Sequence, residues 1–304
     1  MREPPDRAVG SCHGIVSMFE RFARSWELAK ASAAVLRSDR ELLILPIVAG
    51  ICALIVSAAF IVPAFVTGIL GDVTGTGQEG PESVALYVWL FVFYVVQYFV
   101  ILFFNTALVG AALERLRGGD PTLGSAIALA ASRIGAIAGY AVIAATVGVV
   151  LRFIGERLGP IGRIVEGVLG VAWTVTTFLV VPVIAARGLG PISAVKESAS
   201  LLRRSWGENI IGSAGIGLVF GAVIFAIAAV GFGFTGLLVA GRDMVMMGWA
   251  IAAVTVVALC IVWVYAAALG AVYSAAVYSF ATSGTAPRGF DPGLLSAAFR
   301  AKKG

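Results

Sequence analysis

Few side chains in this sequence are equipped for chemistry, and none stands at the spacing of a known catalytic motif. The single histidine, His13, follows Cys12, while Cys52 and Cys260 sit inside apolar runs, where a thiol behaves as a small hydrophobe. Three scattered cysteines and one histidine make neither a metal cage nor a disulfide framework, so no metal, no cofactor and no catalytic residue is expected. The patterns G-x-S-x-G, H-E-x-x-H and the phosphate-binding P-loop are absent. What remains inside the apolar runs is neutral. Asn105 lies in Leu102-Phe103-Phe104-Asn105-Thr106-Ala107-Leu108, downstream of Tyr94, Gln97 and Tyr98. Trp173, Thr176 and Thr177 precede Pro182 in another run. Asn105, Thr106, Trp173, Thr176 and Thr177 are therefore the candidate ligand-binding residues. Neutral donors and acceptors between apolar helices can hold the polar part of a small molecule, or they can simply tie the helices together.

The elements that carry these residues are membrane spans. Of 304 residues, 60% are hydrophobic and 13% charged, against about 25% charged in soluble domains. Six apolar runs, at 42–70, 84–113, 134–151, 168–186, 210–240 and 245–280, approach the ~20 residues that a helix rising 1.5 Å per residue needs to cross the bilayer. Away from their ends these runs hold no Asp, Glu, Lys, Arg or His, which argues against a proton relay or an intramembrane carboxylate hydrolase. With the N-terminus inside, every Lys and Arg except Arg152, Arg157, Arg163 and Arg242 falls on the cytoplasmic side. That asymmetry predicts a multi-pass cell (plasma) membrane protein with both termini cytoplasmic. The first run starts too late and is too long for a cleavable signal, so an uncleaved anchor is expected. The net charge of +5 then belongs to a membrane surface, and no nucleic-acid partner is expected.

The segments between the runs have their own pattern. Ile15, Phe19, Phe22, Trp26, Ala29, Ala33 and Leu36 recur at helical spacing, as do Ile192, Val195, Ala199, Leu202 and Trp206. A shift of 166 residues superimposes Lys30 on Lys196, Ser32 on Ser198 and Arg37 on Arg203. A third stripe, Leu123, Ile127, Ala130 and Ile134, follows the second run in a different register. Pro121 and Pro191 suit first helical turns. These features predict an all-α bundle of three units over 14–286, each an interfacial helix (14–38, 121–133, 191–206) leading into a transmembrane hairpin. Residues 1–13 are expected to be a disordered tail, and 287–304 a short cytoplasmic helix and tail. Basic amphipathic helices favour anionic lipid. Arg24, Lys30, Arg37, Arg133, Lys196, Arg203, Arg204 and Trp206 are the expected headgroup contacts, with membrane lipids, a cytoplasmic protein or a second copy as partners. The segment 152–166 reads as an interfacial linker, with a re-entrant or surface helix gating a cavity as the alternative, and Gly217 with Gly221 as a close-packing helix seam, with dimerisation as the alternative.

The chain resembles a bacterial and archaeal integral membrane family, domain of unknown function 6159. The residues that carry the resemblance are Phe103 to Leu108, Gly119-Asp120-Pro121-Thr122, Ala145-Thr146-Val147-Gly148, Trp173 to Phe178, Val181-Pro182-Val183, Lys196-Glu197-Ser198 and Ser205-Trp206-Gly207-Glu208. The family often has an acidic residue after the Pro182 helix, where this chain has Ala185-Ala186-Arg187. More loosely, Pro191 to Trp206 is similar to a cytoplasmic helix of the six-span domains attached to glycerophosphodiester phosphodiesterases, without their catalytic barrel. The resemblance implies a fold and a compartment. The leading expectation is a non-enzymatic membrane protein that binds or organises anionic lipid or a partner through its basic helices. A transporter or channel with a neutral site around Asn105 is the alternative. A lipid-modifying enzyme is third, requiring Asp120, Arg133, Arg187 and Glu208 to converge within hydrogen-bond reach.

Overall fold

The computed structural model describes residues 30, 32, 33, 40–66, 81–205, 214–240, 244–287 and 290. All regular elements among them are helical. After a 3-10 turn at Arg40–Leu43 come α1 (Ile44–Val66), α2 (Pro81–Leu116), α3 (Leu123–Ser132), α4 (Ile134–Arg157) and α5 (Gly159–Thr177). They are followed by α6 (Val180–Arg187), α7 (Pro191–Ser205), α8 (Ala214–Ala240) and α9 (Val245–Ser283). Six stretches, 41–66, 86–116, 134–157, 161–187, 220–240 and 245–283, are long and apolar enough to cross a bilayer. The chain is an all-α, multi-pass membrane protein, and α5 and α6 together make its fourth span.

The third and fourth spans depart furthest from the sequence-based boundaries. In place of a linker over 152–166, α4 runs on to Arg157 and α5 begins at Gly159, with Leu158 alone between them. Local contacts favour continued helix. Arg152 Nε donates to Glu156 at 2.8 Å one turn on, and the Arg157 guanidinium stands 4.9 Å from the Phe153 ring centre. Gly155 leaves room for the Glu166 side chain of α5 to lie against α4.

Packing is concentrated at one end of the bundle, the end that bears α3 and α7. There α2 touches α1, α3, α4, α6 and α9. The buried positions include 106–113 on α2, Ile137, Tyr140, Ala141 and Ala145 on α4, Val180 and 182–185 on α6, and Ala268, Leu269 and 271–278 on α9. Many are alanines. Lipid tails are as apolar as leucine, so helices in a bilayer associate through close packing, which small residues permit. Toward the other end the spans turn Leu54, Phe65, Tyr87, Phe225 and Leu237 outward as bilayer-facing surface. α8 packs along α9, with Gly231 against Thr255 and Gly248 against Val239, while Gly221 of the expected seam meets no neighbour.

The short helices dock on the bundle through faces that share Ala130 and Leu202 with the expected stripes but turn Ile127, Ile134 and Ile192 away from the protein. α3 buries Ala126 and Ala130, and α7 buries Ala194, Ser198, Leu201 and Leu202. Ile127 and Ile134 are exposed, and Ile192 is 61% exposed. Small side chains let these helices lie close: Gly110 on α2 opposes Leu129, and Gly139 on α4 opposes Pro191. Pro191 opens α7 as expected. Pro121 instead precedes the cap of α3, where the Thr122 hydroxyl accepts the Ser125 N–H at 3.1 Å and the Ser125 hydroxyl accepts the Thr122 N–H at 3.0 Å. Of the 14–38 segment only Lys30, Ser32 and Ala33 are described, and Ser32 is fully buried as Ser198 is. The tail 1–13 and nearly all of 287–304 lie outside the described residues.

Gly188 sets the angle between α6 and α7. It ends α6 in the left-handed region at φ 63°, and the Arg133 guanidinium occupies the space a β-carbon would take. A left-handed conformation costs an L-residue about 1–2 kcal/mol before any steric clash is added. Gly188→Ala is therefore expected to lower the melting temperature of the detergent-solubilised protein, whereas Gly190→Ala, with open space around its β-carbon, leaves it within about 1 °C. Equal melting temperatures for the two variants would contradict this account of the α6–α7 turn.

Candidate binding cavity at the broken fourth span

The fourth span is interrupted within the bundle. α5 stops at Thr177, Phe178 bonds back to Val175 in a tighter turn, and α6 starts at Val180. Pro182 explains the break, because it has no N–H to return to Phe178 and its ring crowds the preceding turn. Inside a bilayer an unsatisfied backbone group costs several kcal/mol, so a broken helix must find outside partners. Ser198 of α7 supplies them. Its hydroxyl donates to the Thr176 carbonyl at 2.6 Å and accepts the Leu179 N–H at 3.1 Å. Both Ser198 and Leu179 are at 0% exposure. A helix lying across the end of the bundle thus closes the gap in a span.

Beside the break is a half-open cavity of about 290 Å³. α1 contributes Pro46 and Ala49, and α2 contributes Ile101, Phe104, Asn105 and Leu108. Phe178 and Val181 flank the interruption, and α9 supplies Trp263, Ala267, Gly270, Ala271 and Ser274. The Phe178 ring also packs on Tyr273 of α9, 6.2 Å between centroids. The wall is apolar except at two points. The Ser274 hydroxyl donates to the Ala271 carbonyl at 2.9 Å, which uses its hydrogen and leaves its oxygen able to accept. Asn105 is half-buried, and no hydrogen bond from the described residues reaches its carboxamide. Leaving an amide unpaired in apolar surroundings costs about 2–7 kcal/mol, so a polar group entering the cavity would be stabilised beside Asn105.

Of the other candidate ligand residues, none lines this cavity. Thr106 is buried and its hydroxyl donates to the Leu102 carbonyl at 2.7 Å. Thr176 and Thr177 bond back in the same way to Ala172 at 2.7 Å and Trp173 at 2.8 Å. Trp173 packs against the core. Sequence reasoning passed over Phe178, Trp263 and Ser274. Trp263 carried a signal, since tryptophan at mid-span is away from the membrane interface it usually occupies.

The basic residues take separate places around the α3–α7 end. Lys30, Arg117, Lys196 and Arg203 are exposed. Arg133 is half-buried over Gly188 with its Nε unpaired among the described residues. Arg24, Arg37, Trp206 and the Arg204 side chain lie outside the described residues. Asp120 pairs with Arg115 at 3.0 Å and Arg187 with Glu197 at 2.8 Å, so those two members of the envisaged ionisable cluster have other partners. Glu208, its fourth member, is outside the described residues.

These positions predict a reactivity contrast. In a background of Cys12→Ser, Cys52→Ala and Cys260→Ala, Asn105→Cys should be modified by a small membrane-permeant thiol reagent. Thr106→Cys and Ala107→Cys, at 1% and 0% exposure, should stay protected. Equal labelling of all three would mean that Asn105 does not face an open cavity.

A model of a family of unknown function (DUF6159) matches residues 84–289. The match takes in Asn105, the broken fourth span, Ser198 and Ser274, and leaves out the first span. No curated protein matches the chain.

Proposed function

The chain belongs to this family of unknown function, and from its own residues we propose that it is a non-enzymatic membrane protein that takes up an amphiphilic molecule from the bilayer into the cavity beside Asn105. The observation that carries the reading is the unpartnered Asn105 carboxamide on an otherwise apolar wall. Ligand sites combine mostly apolar lining with a few placed polar groups, and spaces between bundle helices are a usual location. A cavity of about 290 Å³ has room for about ten water-sized groups, enough for a head group and the start of a chain. Such a site serves a carrier or a lipid-responsive receptor. The distribution of Lys and Arg supports a cytoplasmic α3–α7 end, and the cell membrane is the proposed place.

A second reading concerns that end of the bundle. Arg117, Lys196 and Arg203 are exposed while the small residues of α3 and α7 face the protein, which supports a docked basic collar that gathers anionic headgroups. Both readings meet in one experiment, native mass spectrometry of the full-length protein released from lipid nanodiscs. Asn105→Leu should remove a tightly held amphiphile while leaving bound anionic lipid in place. Lys196→Gln with Arg203→Gln should do the reverse. An adduct pattern indifferent to Asn105 would overturn the first reading, and anionic lipid retained by the double variant would overturn the second.

A further inference from the structure

We infer that the ligand of the Asn105 cavity is a lipid with an uncharged, hydroxyl- or amide-bearing head, which enters sideways from the bilayer. This rests on the cavity reading above and specifies its substrate class. The charge of the head follows from the wall. Among the described residues, none of those lining the cavity is Asp, Glu, Lys, Arg or His. A full charge taken from water or headgroups into that space would meet no counter-charge, and its desolvation would cost several kcal/mol.

The hydrogen-bonding character follows from the two polar groups. Asn105 offers two N–H donors and a carbonyl acceptor, all unused by the described residues. Ser274 has already committed its hydrogen to Ala271 and offers acceptance alone. A head that both donates and accepts satisfies the pair, as a hydroxyl or a secondary amide does. An ether, ester or hydrocarbon head cannot donate to Asn105 Oδ1 or Ser274 Oγ.

The route follows from exposure. Ile101 and Trp263 line the cavity and are also 41% and 47% exposed on the flank of the bundle, at positions inside the second and sixth spans. Ile47 and Ile51, on either side of the lining Ala49, are exposed on α1. The mouth therefore faces lipid rather than water. The cavity holds about ten water-sized groups, so a long chain must continue outward past Trp263 and Ile101.

Trp263 supplies the readout. Full-length protein in phosphatidylcholine nanodiscs is titrated with bromine-labelled chains of one length bearing a glycerol, a sulfate or a trimethylammonium head. The fluorescence quenching that is lost in Trp263→Phe reports the cavity. The glycerol-headed chain is expected to saturate at the lowest mole fraction. Asn105→Leu should weaken it about tenfold, and Ser274→Ala should weaken it in the same direction by less, since each lost hydrogen bond is worth about 0.5–1.5 kcal/mol and tenfold is about 1.4 kcal/mol. Melting temperatures of both variants within about 2 °C of the parent establish that the loss is local. Tighter, Asn105-dependent binding of the sulfate or trimethylammonium chain would overturn the uncharged head while sustaining the cavity. No saturable, Asn105-dependent quenching by any of the three would overturn the cavity reading itself.

Discussion

In a bilayer every backbone donor and acceptor has to be satisfied within the protein, and in this chain that constraint bears hardest on the interruption at Phe178–Leu179. Pro182 breaks the ladder of the fourth span, and Ser198 restores two of its lost partnerships from another helix. One hydroxyl thereby fixes where α7 must lie. Once α7 is fixed, so is the turn at Gly188 beneath Arg133, and so is the contact of Pro191 with Gly139. The break, the collar and the packed end of the bundle are parts of one arrangement.

The cavity is a consequence of the same interruption. A straight fourth span would carry its side chains in a regular spiral past α2 and α9. The broken one presents Phe178 and Val181 to the space between them, opposite Asn105 and Ser274. Phe178 is pinned against Tyr273 and the adjacent Leu179 is tied to Ser198, so the wall of the cavity and the seat of α7 share two consecutive residues. The small residues of α2 and α9 that bring those spans together leave room only where a large side chain is missing, at Ala267, Gly270 and Ala271.

The six spans are legible in the sequence because crossing a bilayer requires long uncharged runs, a demand on single segments that needs no knowledge of neighbours. Other features depend on neighbours, and reading fails there for physical reasons. The charges at Arg152, Glu156 and Arg157 favour an interfacial linker over a helix when read alone, yet an ion pair one turn apart and an arginine over a phenylalanine stabilise helix. The stripes of α3 and α7 follow apolar spacing in the sequence and so include their large aliphatic residues, as a soluble helix would require. Beside a membrane Ile127, Ile134 and Ile192 are equally content in lipid, and Ala126, Ala130, Ala194 and Ser198 take the protein contact together with Leu201 and Leu202. Asn105 stands out as one of two carboxamides in its run, the other being Gln97. Ser274 and Trp263 share a wall with it from more than 150 residues further along the chain, and no local pattern announces that.

The repeat between 14–38 and 191–206 placed Ser32 opposite Ser198, and both are fully buried. Their chemistry differs, because Ser198 bridges two backbone groups while the Ser32 hydroxyl has no partner among the described residues. The central claim is that Ser198 holds the fourth span in its broken form. Amide hydrogen exchange at Leu179, in full-length protein in nanodiscs, tests it directly. The account predicts strong protection in the parent, exchange roughly tenfold faster in Ser198→Ala, and recovery in Ser198→Thr, which keeps the hydroxyl. Equal protection of Leu179 in the parent and in Ser198→Ala would contradict it.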